Sequence, residues 1–481
     1  MNVCLEMHRA VRALMDSCAP SDGVVDRAAW ERAGFPSLFS AEANPCIRPL
    51  AERRIQTKTL EQRMAENDWA FASTPGGVES LEASHSAAEI LYLWGDLSRL
   101  SLTNRLAWVD YFNRYQNRET GYFEGPYIPP AGHEVWNRPQ TSHPWAHMHD
   151  HLLSVIVPCQ IMLGGRPRHP LSEGSQTGRF LDRGYLENFL ERDWTGYRHD
   201  SDYSRHNPWW MGNEFWYPGC ILWAISLTEP DTAAGARARQ LLDQVWFRWH
   251  DENLNPFGFW HGSLAGDPAT LWRGGLGAGE AIPHRLPTTP GQWHWAAMQV
   301  MGGAHQLWLY DFERHPIPDA TRRLQTDLLL GMQCKRDGRF GLGGPDTERS
   351  ESNDCTDVDT LTLLAYNFVR QDYRRADIAG ACGRAASSIL ANKLDAFGVL
   401  SSRPGEAWTH HAHSIETYSP GDAPNMHQQA FYLWAVLAAV SILERHEDPA
   451  VQAFIDHPWP TMPTHWLWVP GRQRYMTTER A

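Results

Sequence analysis

The sequence predicts an all-α protein with the architecture of an (α/α)6 toroid, a ring of six helical hairpins. Three observations support this fold class. A short turn with glycine beside aromatic or apolar residues recurs along the chain, and strongly apolar helical segments follow the turns. Signals for β-strands are sparse, which leaves little material for a sheet.

The recurring turn is the most regular feature of the chain. Its clearest copies occupy residues 116–123, 193–197, 255–260, 333–341 and 395–399, and a weaker first copy occupies 74–77. Glycine adopts left-handed backbone conformations at no steric cost, so we expect the glycine to cap the preceding helix. The spacing of the copies leaves room for two helices and a loop in each repeat.

A candidate inner helix follows each turn. These segments are 84–94, 147–163, 213–227, 293–310, 357–369 and 427–443. Several are apolar nearly all round, which is typical of helices that are buried on both sides. Amphipathic segments such as 321–333 fit an outer layer. Residues 1–55 lie outside the repeat and are expected to form an N-terminal helical extension, whereas 56–481 are expected to form a single toroid domain.

Composition and charge restrict the class of protein. With 42% hydrophobic and 21% charged residues, the chain has the composition of a globular protein with a substantial core. The net charge of −13 argues against nucleic acid as a partner. The 8 cysteines include no Cys-x-x-Cys pair, and no apolar signal segment is recognisable at the N-terminus. The longest apolar run, 430–443, is too short for stable membrane insertion. A cytoplasmic protein is expected, and its oligomeric state is left open.

The candidate site lies at the starts of the inner helices, which in a toroid all begin on the same side of the ring. Candidate catalytic residues are Asp354, Asp357, Asp359, Glu214, His149, Asp150, His427 and Tyr418, and candidate substrate-binding residues are Trp145, His147, Trp209, Trp216, Asn213, Trp260, Trp293, His294 and His411. Asp and Asn at these positions also fit ordinary helix N-caps. The density of histidine is better explained by a pocket that binds a small molecule or catalyses a reaction.

Two neighbouring segments carry a family resemblance. Residues 328–340 resemble the glutamine–aromatic repeat of the terpenoid cyclase and protein prenyltransferase superfamily, with Phe340 where tryptophan is usual. Asp357-Val-Asp-Thr360 resembles the acid motif of class II cyclases, and the overlapping Asp354-Cys-Thr356 resembles the Asp-Cys-Thr motif of oxidosqualene cyclases. The resemblance implies an α/α toroid that protonates and cyclises an isoprenoid. Asp359 is the acid in the first register and Asp354 in the second.

Proton transfer to an alkene is physically reasonable for such a site. Neighbouring carboxyl groups resist simultaneous ionisation, so one of them keeps its proton. The 23 tryptophans offer aromatic faces that stabilise a carbocation by cation–π attraction. One effect acts in the opposite direction, because the positive end of a helix stabilises a carboxylate and lowers its pKa.

A carbohydrate-active (α/α)6 enzyme is the main alternative. A glycoside hydrolase needs one carboxylic acid and one carboxylate, and Asp150, Glu214, Asp357 and Asp359 are the candidates. A polysaccharide lyase would use Tyr418 or a histidine as its base. Either enzyme would act on an oligosaccharide or a glycan intermediate, with sugar rings stacked on tryptophan.

Two further alternatives stay open. Protein prenyltransferases hold zinc at inner helix starts, and Asp354, Cys355 and His427 occupy similar positions. Their ligand motif is Asp-x-Cys, whereas Asp354 and Cys355 are adjacent here. No cofactor is therefore certain, and magnesium or zinc are the candidates. The remaining alternative is a non-catalytic toroid that binds a ligand or a protein partner.

Overall fold

A computed structural model describes residues 60–72, 79–94, 97, 100–125, 141–142, 144–191, 198–199, 208–255, 257–260, 286–350, 354–391, 393–394, 399–400 and 426–447. The expected N-terminal extension, 1–55, lies outside the described residues. So do the turn copies at 74–77 and 193–197, most of the copy at 395–399, and the candidate residues His411 and Tyr418.

Helices make up most of the described chain. They are α1 Leu60–Glu66, α2 Leu81–Trp94, α3 Leu102–Asn113, α4 Pro144–Met162, α5 Arg183–Glu191, α6 Pro208–Thr228, α7 Ala233–Leu241, α8 Arg248–Asn253, α9 Pro290–Phe312, α10 Asp319–Gly331, α11 Asp354–Arg370, α12 Arg375–Ala391 and α13 Met426–Glu447. Among the described residues, no helix combines the length and apolar character needed to cross a membrane. The expectation of an all-α fold is confirmed.

Strands are restricted to two-residue pieces within the described chain. They are β1 Phe71–Ala72, β2 Glu79–Ser80, β3 Thr141–Ser142, β4 Arg198–His199, β5 Lys393–Leu394 and β6 Val399–Leu400. β1 pairs antiparallel with β2 in the register Phe71↔Ser80, and β5 pairs antiparallel with β6 in the register Lys393↔Leu400. Such short pairs close loops between helices and do not form a layer of their own.

All six segments that we expected to be inner helices are helical, as α2, α4, α6, α9, α11 and α13, and their place in an inner ring stays a prediction. Some begin several residues earlier than the apolar pattern indicated, because proline at the first helical position starts α4, α6 and α9. In α9 a capping box holds this start, since the Thr289 hydroxyl accepts from the Gln292 N–H and the Gln292 side chain accepts from the Thr289 N–H.

Three copies of the recurring turn share one backbone structure. Isolated bridges join the ends of the copies at 116–123, 254–260 and 333–340. Two residues before the closing aromatic, Gly121, Gly258 and Gly338 have φ values of 86°, 80° and 73°. The left-handed glycine is therefore confirmed. We expected this glycine to cap the preceding helix, and that expectation is wrong. The helix ends several residues earlier, and the glycine closes the tight turn that follows.

The chain divides into two compact units. The first contains residues 1–178, 392–433 and 462–467, and the second contains 179–391, 434–461 and 468–481. Of the candidate site, His149, Asp150 and His427 belong to the first unit, and the aspartates of α11 belong to the second. The expectation of a single toroid domain stays a prediction.

Within the second unit, α6 and α9 run side by side in the same direction. Near the start of α6, the side-chain oxygen Oδ1 of Asn213 lies 2.6 Å from Nδ1 of His305. Towards the other end, Trp223 contacts the edge of Phe312 at a centroid distance of 5.2 Å. Because both residue numbers increase together along the contact, the two helices are parallel.

The same reasoning applies to α9 and α11. The Thr356 hydroxyl contacts Sδ of Met301 at 3.7 Å near the start of α11. At its end, Arg370 pairs with Asp311 at 2.8 Å. The second unit therefore contains a row of three parallel helices, α6, α9 and α11.

Antiparallel partners pack behind this row. Arg322 of α10 donates to Asn367 near the end of α11, whereas the turn after α10 returns to the start of α11, where the Phe340 N–H donates to Asp357. α10 and α11 therefore form a helical hairpin. The segment 321–333, which we expected to lie in the outer layer, is confirmed as a helix over most of its length, since α10 covers Asp319–Gly331. Its buried face packs toward α11.

The segment from α7 to α8 is the partner of α6, as α10 is the partner of α11. It contains a π-helical segment, Leu242–Phe247. Trp246 lies in this segment and donates from Nε1 to the Phe215 carbonyl of α6 at 2.9 Å. One turn later His250 is fully buried, and burial lowers its pKa to about 3. Trp260 donates to the His250 carbonyl at 2.6 Å, so this tryptophan seals the hairpin turn.

The turn geometry yields a stability prediction with a matched control. Gly338 has a left-handed φ, and a Cβ atom there would lie 3.1 Å from Cβ of Arg384. Gly338→Ala is therefore expected to lower the free energy of unfolding by about 1–2 kcal/mol. Gly380→Ala lies on the exposed side of α12, where a Cβ meets little, and should raise it by about 0.5–1 kcal/mol. Urea unfolding followed by circular dichroism measures both, and equal effects would contradict the role of the turn.

Candidate functional site

The three aspartates of the acid motif lie in the first two turns of α11. Asp354, Asp357 and Asp359 are all buried, with at most 1% of each residue exposed. Burying several carboxyl groups on one helix is unfavourable unless each is paired or keeps its proton. Their individual surroundings therefore decide what each can do.

Asp357 is a structural anchor. Arg339 donates to its Oδ2 through Nε, at 2.9 Å, and through Nη2, and the Phe340 N–H donates to Oδ1 at 3.1 Å. Burial raises the pKa of Asp357, and the Arg339 guanidinium and the Phe340 N–H oppose that rise. A carboxylate held by three donors fixes the turn against α11 and is poorly suited to donate a proton.

Asp359 has the opposite surroundings. Neither carboxyl oxygen forms a hydrogen bond with any described residue. Burial raises the pKa of Asp359 well above its usual range, and the negative charge of Asp354 raises it further. Both effects favour the protonated form of the Asp359 carboxyl. The sequence left Asp354 and Asp359 as alternative acids, and these surroundings favour Asp359.

A row of rings lies in the same unit. His305 of α9 contacts Trp216 at a centroid distance of 5.0 Å and Trp308 at 4.6 Å, and Trp308 contacts Trp434 at 5.0 Å. Asn213 accepts from Nδ1–H of His305, which orients the imidazole. Two expected site residues, Asn213 and Trp216, are thus brought together around a histidine.

His305 was not among the predicted site residues, which were drawn mainly from helix starts and from the loops before them. A signal was present, since a histidine follows the apolar run in the middle of the predicted inner helix 293–310. Such a histidine is more often a satisfied core residue than a functional one. Only the folded chain shows that the side chain of Asn213 on the neighbouring helix contacts this imidazole.

Other expected residues of the second unit have different surroundings. Trp293 packs against Gly331 and Gly344, where a Cβ atom would collide with the ring, so it fills space next to the turn. Trp260 seals its own hairpin, as described above. Trp209, Glu214 and His294 are half-buried on α6 and α9.

The first unit contains a buried cluster of carboxylates and imidazoles. Glu82 of α2 lies 3.2 Å from Nε2 of His151 in α4 and 2.8 Å from Nδ1 of His427 in α13. One turn later on α2, Nε2 of His85 lies 2.8 Å from Glu89. Burial opposes ionisation of Glu82, but the two imidazoles outweigh it and lower its pKa well below the usual range. Glu82 therefore joins three helices as a carboxylate.

Neither glutamate was singled out from the sequence. Glu82, His85 and Glu89 have the spacing i, i+3 and i+7, which places all three on one face of α2. That spacing was the available signal. Glu89 and Glu82 also raise the pKa of His85 against the effect of burial, so this imidazole is stabilised as a cation.

Beside this cluster, the Tyr122 hydroxyl donates to Asp150. His149 is buried and contacts the Tyr122 ring at 5.5 Å. Trp145 and His147 lie in the first turn of α4, as expected. The described contacts thus bring Asp150, His149 and His427 into one unit.

The described residues do not bring together the side chains that a metal site would need. Among the described residues, no group of three or more His, Cys, Asp or Glu side chains has an arrangement that could hold a metal ion. Asp354 and Cys355 start α11 in the second unit, whereas His427 contacts Glu82 in the first.

Comparison with models of known protein families found no match, and comparisons with curated proteins and with solved structures found no similar protein either. The function of the chain therefore has to be inferred from its own residues.

The different surroundings of Asp357 and Asp359 predict opposite effects of the same substitution. Asp357→Asn leaves the buried Arg339 guanidinium without its counter-ion and should lower the free energy of unfolding by about 3–5 kcal/mol at pH 7. Asp359→Asn replaces a protonated carboxyl by an amide of similar shape and should not lower it. Urea unfolding of both variants measures the difference. A similar large loss in both would show that Asp359 is also an ion-pair partner.

The pH dependence of stability tests the protonation of Asp359. In the unfolded chain its pKa is about 3.9, so above that pH the unfolded state releases a proton that the folded state retains. Folded wild type therefore loses stability as pH rises, by up to about 1.4 kcal/mol per pH unit, until pH reaches the raised native pKa. Relative to wild type, Asp359→Asn should gain stability between pH 5 and pH 7. A constant difference across this range would contradict a raised pKa.

Proposed function

We propose that this chain is an acid catalyst that protonates and cyclises an isoprenoid, with Asp359 as the proton donor. The observation that carries the proposal is the Asp359 carboxyl, which is 1% exposed, accepts no hydrogen bond from a described residue and has a strongly raised pKa. The likeness of Asp357-Val-Asp-Thr360 to a class II cyclase acid motif supports the same assignment.

The raised pKa determines which state of the acid is ready for reaction. Protonating an alkene requires that the acid still carries its proton at neutral pH, and burial beside Asp354 provides this. Proton transfer then creates a carboxylate and a carbocation close together. In a medium of low dielectric constant the attraction between these charges is strong, which offsets the cost of forming them.

The positive end of a helix lowers the pKa of nearby carboxyl groups, but its effect on Asp359 is small because of the position of this residue along α11. The stabilising effect of a helix start on a carboxylate declines beyond the first turn. Asp354 and Asp357 lie within that turn, whereas Asp359 is the sixth residue of the helix. The dipole therefore acts mainly on the two neighbours and opposes protonation of Asp359 least.

The aromatic row of the second unit suits a cationic intermediate. Trp216, Trp308 and Trp434 present large faces with negative potential, which attract a carbocation as they attract other cations. The parallel row α6, α9 and α11 with antiparallel partners behind it also fits one part of an α/α toroid, which we propose as the complete architecture.

A carbohydrate-active enzyme is the second candidate, favoured by the first unit. The Tyr122 hydroxyl donates to the half-buried Asp150, and buried His149 contacts the same tyrosine. A tyrosine or histidine held in this way is a reasonable base for a polysaccharide lyase. The locked Asp357 is a poor member of a hydrolytic carboxyl pair, so glycoside hydrolysis is the weaker form of this alternative.

Activity of the Asp359→Asn variant tests the proposal. The purified protein is incubated with geranyl, farnesyl and geranylgeranyl diphosphate and with squalene, and products are analysed by gas chromatography and mass spectrometry. Wild type should form a cyclised product, and Asp359→Asn should lower its rate about 10³-fold, the typical contribution of a general acid.

Asp377→Asn is the matched control, because Asp377 is an exposed aspartate of α12 in the same unit. It should retain the wild-type rate. Turnover of oligosaccharides by wild type, with no conversion of any isoprenoid, would contradict the proposal and favour the second candidate.

A further inference from the structure

A groove in the second unit takes no part in the proposed reaction. It has a volume of about 870 Å³, within the range of sites that bind small molecules. One wall is the turn segment 335–338, and the other is the face of α12 from Ala376 to Ser388. The lining positions of α12 recur every three or four residues, so they share one face of the helix. None of these lining residues belongs to α11, the helix that carries Asp359.

Gln333, the first residue of the turn, holds the two walls of the groove together. It is buried, and its side-chain amide is engaged through both nitrogen and oxygen. Nε2 donates to the carbonyls of Gly338 and Ala381, each at 2.7 Å, and Oε1 accepts from Arg384. Because Gly338 lies in the turn and Ala381 in α12, the groove is formed before a ligand binds, and little ordering opposes binding.

Arg384 is the cation in the groove whose charge is not matched by a carboxylate. Its Nε, at 3.1 Å, and its Nη2 both donate to Oε1 of Gln333, which is a neutral acceptor. Arg339 differs in this respect, since it pairs with the carboxylate of Asp357. The remaining nitrogen, Nη1, lies beside Gly380, where a Cβ atom would be 3.5 Å away. An exposed guanidinium that is held in place by a neutral amide is well suited to bind an anion.

The turn wall adds positive charge. Lys335 pairs with Asp346 and Arg336 pairs with Glu348, and all four side chains are more than half exposed. Exposed ion pairs contribute little to stability, so either cation can turn to a ligand at small cost. Asp337 is the one carboxylate among the lining residues, and its oxygens accept two backbone N–H groups at 3.0 and 2.9 Å. The lining thus has three cationic side chains and one carboxylate, in a chain with a net charge of −13.

From these features we propose that the groove binds a small molecule that carries a diphosphate group. Two linked phosphates can contact the fixed Arg384 on one wall and the movable cations of the turn on the other, whereas a single carboxylate would use only one of them. The hydroxyl groups of Ser387 and Ser388 provide further donors. Between these polar groups, Ala376 and Ala379 leave space for the organic part of the ligand. The site does not depend on the proposed cyclisation.

Binding to the full chain is measured by isothermal titration calorimetry with inorganic diphosphate, ADP and geranyl diphosphate. Arg384→Gln keeps much of the side chain but removes its charge, and should weaken binding of each probe about 10–100-fold. Arg374→Gln is the matched control, because it removes the same charge next to α12 but outside the lining. It should bind as wild type does. No binding by wild type, or an equal loss in both variants, overturns the inference.

A second pair of variants tests the groove without removing Arg384. Gly380→Glu places a carboxylate four residues before Arg384 on the same face of α12, where it should pair with the guanidinium and stabilise the helix. Binding of inorganic diphosphate should weaken about 10-fold, because the new carboxylate occupies and neutralises the cation. Gly380→Gln has the same size without the charge and should bind more tightly than Gly380→Glu. Equal affinities of these two variants would contradict the role of Arg384.

The three probes distinguish the source of the diphosphate group. If ADP or geranyl diphosphate binds more tightly than inorganic diphosphate, and Arg384→Gln removes the gain, the groove recognises a nucleotide or a prenyl diphosphate, respectively. A gain that persists in Arg384→Gln shows that the organic diphosphate binds elsewhere and overturns the inference. Because these measurements involve no turnover, a failure of the proposed cyclisation leaves them unaffected, and a failure to bind diphosphate rejects the groove alone.

Discussion

The ion pair between Arg339 and Asp357 is the interaction on which the arrangement of the second unit depends. It is buried on both sides, with 4% and 0% of the side chains exposed, and the adjacent Phe340 N–H completes it. The pair ties the turn after α10 to the start of α11 and compensates the charge of one aspartate in a crowded motif. Arg339 compensates the charge of Asp357 in this way, and the negative charge of Asp354 adds to burial in raising the pKa of Asp359.

The two units handle buried charge differently. In the second unit Asp359, whose carboxyl group has no hydrogen-bonding partner among the described residues, has a pKa raised well above its usual range. In the first, Glu82 remains ionised because His151 and His427 approach it from two other helices. Desolvation acts on both carboxyl groups in the same direction, so the neighbours decide the outcome. A neutral buried acid is ready to donate a proton, whereas an ionised one between imidazoles stabilises packing.

Repetition explains how one sequence pattern builds several parts of the fold. The turns closed by Gly121, Gly258 and Gly338 have the same bridge and the same left-handed glycine. In two of them the leading glutamine also reaches a neighbouring segment, Gln116 to His169 and Gln333 to Ala381. These two turns thereby fix their own hairpins and the segments beside them, and the second of them precedes α11, the helix that carries the aspartates.

The sequence by itself determined the helical class, the positions of the six inner helices, the glycine turns and the segment that holds the candidate acid, because periodicity and turn chemistry are local properties. Only the tertiary structure decided which aspartate is anchored by an ion pair and which has a raised pKa without a hydrogen-bonding partner, since Arg339 is 18 residues from Asp357 in the sequence. It alone showed Glu82 between two imidazoles, and His305 beside Asn213, 92 residues away. The pKa of a buried group depends on neighbours brought together by packing, and no local pattern specifies them.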